Sequence, residues 1–186
     1  MIGNAIAGLY GVGVTPSTTA YESIATTTVG SGGTTTIDFS SIPSTFTHLQ
    51  LRALIRSNGI ADNSTMRFNA DTGNNYASHY LVGDGSSASA GASASRSNMY
   101  LDILASNGSG AYFSAVVVDI LDYKSTSKNK TIRALAGQDL NGSGTVWLAS
   151  GLWTNTAAVN QITIKTNGAG GFAQYSSFAL YGIKGA

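Results

Sequence analysis

Alternation with a period of two runs through this chain, and it leaves little room for anything but a sheet-based fold. His48-Leu49-Gln50-Leu51-Arg52-Ala53-Leu54-Ile55-Arg56 puts Leu49, Leu51, Ala53 and Ile55 on one face. His48, Gln50, Arg52 and Arg56 fall on the other, as in a strand with one buried face. Asn160–Lys165 alternates in the same way, and Thr131-Ile132-Arg133-Ala134 begins to. Two runs are apolar on both faces, Tyr112–Leu121 and Ser177–Ile183. Their β-branched and aromatic residues, without Glu or Lys, predict central strands covered on both sides.

Turn chemistry separates these runs. Gly30-Ser31-Gly32-Gly33 sits between Ile24–Val29 and Thr34–Phe39 and predicts a hairpin. Asn141-Gly142-Ser143-Gly144 and Asn167-Gly168-Ala169-Gly170-Gly171 each stand between strand-like runs, and Asn-Gly supplies the positive φ of tight turns. About ten strands and no helix emerge, spaced as in a β-sandwich or barrel. Residues 1–20 lack periodic signals and read as an N-terminal arm, leaving 21–186 as one domain. Residues 83–95, GDGSSASAGASAS, read as a long low-complexity surface loop.

Composition removes several functions. Of 186 residues only 19 are charged, while Gly, Ser, Thr and Asn total 80, so uncharged polar groups replace charge on the surface. A single Glu leaves no material for Glu–Lys-paired surface helices. The net charge of +1, with no basic cluster beyond Lys124, Lys128, Lys130 and Arg133, gives little attraction to nucleic acid or an anionic membrane. Without cysteine there are no disulfides, thiolate metal sites or thiol nucleophiles. No apolar run approaches the ~20 residues of a membrane-spanning helix. Met1–Val14 lacks the basic start of a secretion signal and is expected to belong to the mature protein.

Reactive side chains are few. His48 and His79 have no second ligand at zinc-site spacing and read as ordinary histidines. Asp71-Thr72-Gly73 matches the aspartic-protease triplet, but Asn69-Ala70 before it and Asn74-Asn75 after it fit a turn better. Asp62-Asn63-Ser64 and Asp139 lack the alternating carboxylates of a calcium loop. Asp119 and Asp122 fall on opposite faces of a strand. If Val117 and Leu121 face the core, Asp119 joins them and needs a partner, Arg133 or Lys124. The sequons at Asn63, Asn107, Asn129 and Asn141 are about as many as a chain this rich in Ser and Thr holds by chance. Trp147 and Trp153 share a face if their strand is continuous, though Gly151 allows a bulge between them. They read either as core filling or as a sugar-stacking platform.

Three stretches occur in a telling order: Phe39-Ser40-Ser41-Ile42-Pro43-Ser44-Thr45-Phe46-Thr47-His48-Leu49-Gln50-Leu51, then Arg67-Phe68-Asn69-Ala70-Asp71-Thr72-Gly73-Asn74-Asn75-Tyr76, then Ser176-Ser177-Phe178-Ala179-Leu180-Tyr181-Gly182-Ile183-Lys184-Gly185. With Met1-Ile2-Gly3-Asn4 and Ile120-Leu121-Asp122-Tyr123, they resemble a group of small β-rich virion proteins of tailed bacteriophages. The resemblance implies an all-β, single antiparallel β-sandwich, jelly-roll-like, often oligomeric, and it supplies no catalytic residues or cofactor. The expectation is a virion structural protein on the particle surface, an accessory capsid (cement or decoration) protein rather than an enzyme. It would associate with itself, as a homotrimer, and with the major capsid protein or tail proteins. Ile2, Ile6, Leu9, Tyr10, Val12 and Val14 of the arm would make the assembly contacts. The alternative is a tail-associated or tail-fibre protein binding a receptor glycan through Trp147, Trp153 and the 83–95 segment.

Overall fold

A computed structural model describes residues 20–59, 63–103 and 111–185. Twelve strands appear among them: β1 (Tyr21–Thr28), β2 (Thr36–Phe39), β3 (His48–Ile55), β4 (Asn63–Phe68), β5 (Tyr76–Gly83), β6 (Ala88–Arg96), β7 (Met99–Ile103), β8 (Ser114–Ile120), β9 (Lys130–Asp139), β10 (Gly144–Trp153), β11 (Ile162–Thr166) and β12 (Ser177–Ile183). They form an eight-stranded sheet, β1-β12-β3-β8-β9-β10-β5-β6, and a four-stranded sheet, β2-β11-β4-β7. Every pairing is antiparallel. Without β5, β6, β9 and β10, two sheets of four remain, β1-β12-β3-β8 and β2-β11-β4-β7. Along those eight strands the chain passes back and forth between the sheets, which is the path of a jelly roll. Two inserted hairpins, β5–β6 and β9–β10, widen one sheet only.

The core lies between the sheets. Leu49, Leu51 and Ile55 of β3 and Val116, Val118 and Ile120 of β8 meet Met66 and Phe68 of β4 and Ile162 and Ile164 of β11, all buried. A chain of this size buries roughly 70% of its unfolded surface. Gly182 and Gly151 permit close approach across it. A Cβ on Gly182 would lie 2.3 Å from the Phe46 ring, and one on Gly151 2.7 Å from Ile132 and 2.8 Å from the Met99 sulfur. Gly151 therefore marks a tight inter-sheet contact. There is no bulge at it, because β10 pairs with β5 and β9 in unbroken register from Val146 to Trp153.

Four sequence expectations need correction. Gly30–Gly33 does not close a hairpin, since β1 pairs with β12 in the large sheet and β2 with β11 in the small one. Gly32 and Gly33 take positive φ to carry the chain across, and a Cβ on Gly33 would sit 2.7 Å from the Phe172 carbonyl. The 167–171 turn likewise joins β11 to β12 in different sheets. A glycine turn fixes where a chain reverses, but not which sheet it enters next.

Residues 83–95 are not a long loop. A four-residue turn, Asp84–Ser87, leads into β6, which pairs with β5 from Gly83↔Ala88 to Tyr76↔Arg96. Alternation is present, but between Ala and Ser or Gly, so it carries almost no hydropathy signal. Finally, β8 and β12 are central in the sheet but covered on one face only, with burial alternating along each. Val117 is exposed while Val116 and Val118 are buried, so Asp119 lies on the outer face and not in the core.

Candidate functional site

The candidates named from sequence scatter. Ile2, Ile6, Leu9, Tyr10, Val12 and Val14 lie outside the described residues. Trp147 and Trp153 share the inner face of β10, 4% and 1% exposed. Trp147 stacks on Tyr80 with ring centroids 4.3 Å apart, and Trp153 packs against Tyr76 and the edge of Phe68. Neither presents a face on which a sugar ring could stack; both fill the core.

Asp71 is a structural anchor. Its Oδ2 accepts the Trp153 indole N–H at 2.8 Å and the Asn75 amide at 2.9 Å, and its Oδ1 accepts the Gly73 N–H at 2.8 Å. The Asn75 bond above all, then those from Trp153 and Gly73, hold this carboxyl below its ordinary pKa. Sequence indicated the turn but not its tie to a tryptophan 82 positions away.

His48 accepts the Asp122 N–H on Nδ1 at 3.0 Å, which commits that nitrogen's lone pair to the backbone. His79 is exposed on β5. Asp122 pairs with Lys128 at 2.6 Å. Lys130, one of the four residues of the basic cluster in the sequence, is fully buried, its Nζ donating to the carbonyls of Lys128 and Thr156 at 2.7 and 3.0 Å. Among the described residues no three His, Asp or Glu side chains are grouped to hold a metal ion.

The largest unexplained feature is the outer face of the eight-stranded sheet. Strand pairing sets its side chains in rows. Arg52, Val117, Leu135, Leu148, Leu81 and Ala90 form one row across β3-β8-β9-β10-β5-β6, each directly opposite the next. A second row holds Leu54, Ala115, Gly137, Val146 and Gly83. Leu135 is 56% exposed, Leu81 57%, Val146 60% and Leu54 51%. On the opposite side of the first row runs a polar row of Gln50, Asp119, Arg133, Ser150 and His79.

With strands ~4.8 Å apart and rows ~7 Å apart, the two apolar rows cover a strip roughly 20 Å long. Two shallow hollows of about 390 and 350 Å³ open on this face, one beside Leu81 and Leu148, the other beside Leu54 and Val117. Alanines extend the surface to the sheet edge. Ala88, Ala90 and Ala92 share the outer face with Leu81, whereas Gly91 lies beneath Tyr80, where a Cβ would be 2.4 Å from the ring. The apolar outer positions belong largely to the strands added to the jelly roll. Sequence did single out Val117 and Leu121, but as core residues.

No protein-family model, curated protein or solved structure matches this chain.

Proposed function

We propose that this protein is a building block of a bacteriophage particle, an accessory capsid (cement or decoration) protein on the virion surface. The exposed apolar face of the widened sheet carries the reading. Contiguous apolar surface of several hundred Å² on a folded domain marks a protein contact. Here it lies on the open outer face of a sheet, which suits docking against another protein better than enclosing a small molecule. The stretches Phe39–Leu51, Arg67–Tyr76 and Ser176–Gly185 that resemble tailed-phage virion proteins point the same way. Such a protein acts by mass action: area buried at its contacts stabilises the assembly it joins, without a chemical step.

The test is incorporation. Leu135→Asp/Leu148→Asp protein, its fold verified by circular dichroism, is expressed in competition with wild type during phage growth. The expected result is that purified particles carry wild type and exclude the variant. Equal incorporation of both, or absence of both from the particle, overturns the proposal.

A further inference from the structure

We infer that the outer face of the eight-stranded sheet binds the same face of a second copy of this chain, about a two-fold axis running along the strands between β8 and β9. The inference rests on the proposal that this face is a protein-docking surface, and adds who the partner is.

Charge identifies it. Asp119 on β8 and Arg133 on β9 are direct cross-strand neighbours on the outer face. Asp119 accepts a hydrogen bond from Gln50 at 2.8 Å, and Gln50 in turn accepts one from Arg52 at 2.7 Å. Arg133 is exposed, with no hydrogen-bond or ion-pair partner among the described residues. An Asp–Arg pair side by side is a small dipole lying across the strands. A two-fold axis parallel to the strands and midway between β8 and β9 leaves each row at its own height and exchanges the two strands. Asp119 of each copy then faces Arg133 of the other, and the two dipoles lie antiparallel.

The same operation sets Val117 against Leu135, Leu54 against Val146 and Ala115 against Gly137 of the second copy, while Leu148 meets Arg52.

The area suffices. Eight strands of about seven residues span roughly 38 Å by 24 Å, or about 900 Å², against about 800 Å² per partner in a stable interface. Net charge also favours self-association, since copies carrying +1 repel weakly. The contact is two-fold, distinct from the three-fold association that the family resemblance implies.

Sedimentation of the full-length protein from about 0.01 to about 100 µM tests it, a span set wide because interfaces of this size range from micromolar to far tighter. Wild type is expected to be a dimer. Arg133→Asp sets like charges against each other and should weaken the dimer by ~100-fold, while Asp119→Arg/Arg133→Asp should restore it to within ~10-fold. Leu135→Asp should leave a folded monomer, with Val117→Asp as the second variant if the first misfolds. A wild-type monomer or trimer overturns the inference, as does a charge-swapped double variant no tighter than the single one. If wild type is monomeric yet the Leu135/Leu148 variant is still excluded from particles, the docking face stands and the second copy is the wrong partner.

Discussion

Replacing Asp71 by Asn keeps the shape of the anchor and removes its charge. Three donors converge on this carboxylate, from Trp153, Asn75 and Gly73. Asn offers one oxygen, so in either orientation its own NH2 group opposes at least one of them. Gly73 and Asn75 lie near solvent and can recover water. The Trp153 indole cannot, at 1% exposure, so the Asn oxygen takes the Oδ2 position, keeps Trp153 and Asn75, and leaves the NH2 group facing Gly73.

Turning the Trp153 and Asn75 bonds from charge-assisted into neutral ones, and losing the Gly73 bond, costs about 1–3 kcal/mol. At 2–4 °C per kcal/mol in a chain of this size, the midpoint should fall by ~2–12 °C. The effect also has a pH signature. The Asp71 carboxyl sits below its ordinary value of 3.8 when folded. Its stabilisation is therefore present above that value and lost as pH falls through the lower folded one. Melting wild type and Asp71→Asn between pH 7 and pH 2.5 should show a gap that is constant near neutrality and closes in acid. Asp84 and Asp122 are also held low, but they titrate in both proteins and cancel in the difference. Equal midpoints at pH 7, or a gap unchanged at pH 2.5, would refute the anchor.

Two further outcomes follow from the packing. Gly182→Ala forces the Phe46 ring to move and should destabilise by about 1–3 kcal/mol in urea titration, with much of the loss recovered by Phe46→Leu in the same chain; strictly additive costs would show that the ring does not lie on Gly182. Burial pushes Lys130 below its ordinary pKa, so the folded state sheds that proton first and stability rises with pH as the folded value is passed and the unfolded 10.5 approached. Lys130→Met should remove this rise relative to wild type in melts between pH 8 and pH 10.5, and identical pH profiles would contradict it.

Sequence reasoning reached the architecture because period two is written in side chains that differ in polarity. The alternation of Leu49, Leu51, Ala53 and Ile55 predicted β3 and its inward face correctly. Where the contrast vanished, the reading failed. In β6 both faces are small residues, and a strand looked like a loop. In β8 both faces are apolar, so parity could not be chosen, and an outward Val117 looked like core. Both failures fall on the widened sheet, whose outer face carries apolar or small residues where polar ones would have marked the solvent side. The Asp71–Trp153 bond was out of reach for another reason: it depends on register between distant strands, which local pattern does not encode, whereas Arg133 was named as one of two partners for Asp119, though in the core.

Imaging of intact particles tests the central claim most directly. A cryo-EM reconstruction resolving this protein in place should find the β8-β9-β10-β5 surface, with Leu135 and Leu148, buried against protein. A particle in which that surface faces solvent while the domain attaches through another side, or in which the protein is absent, would contradict the account.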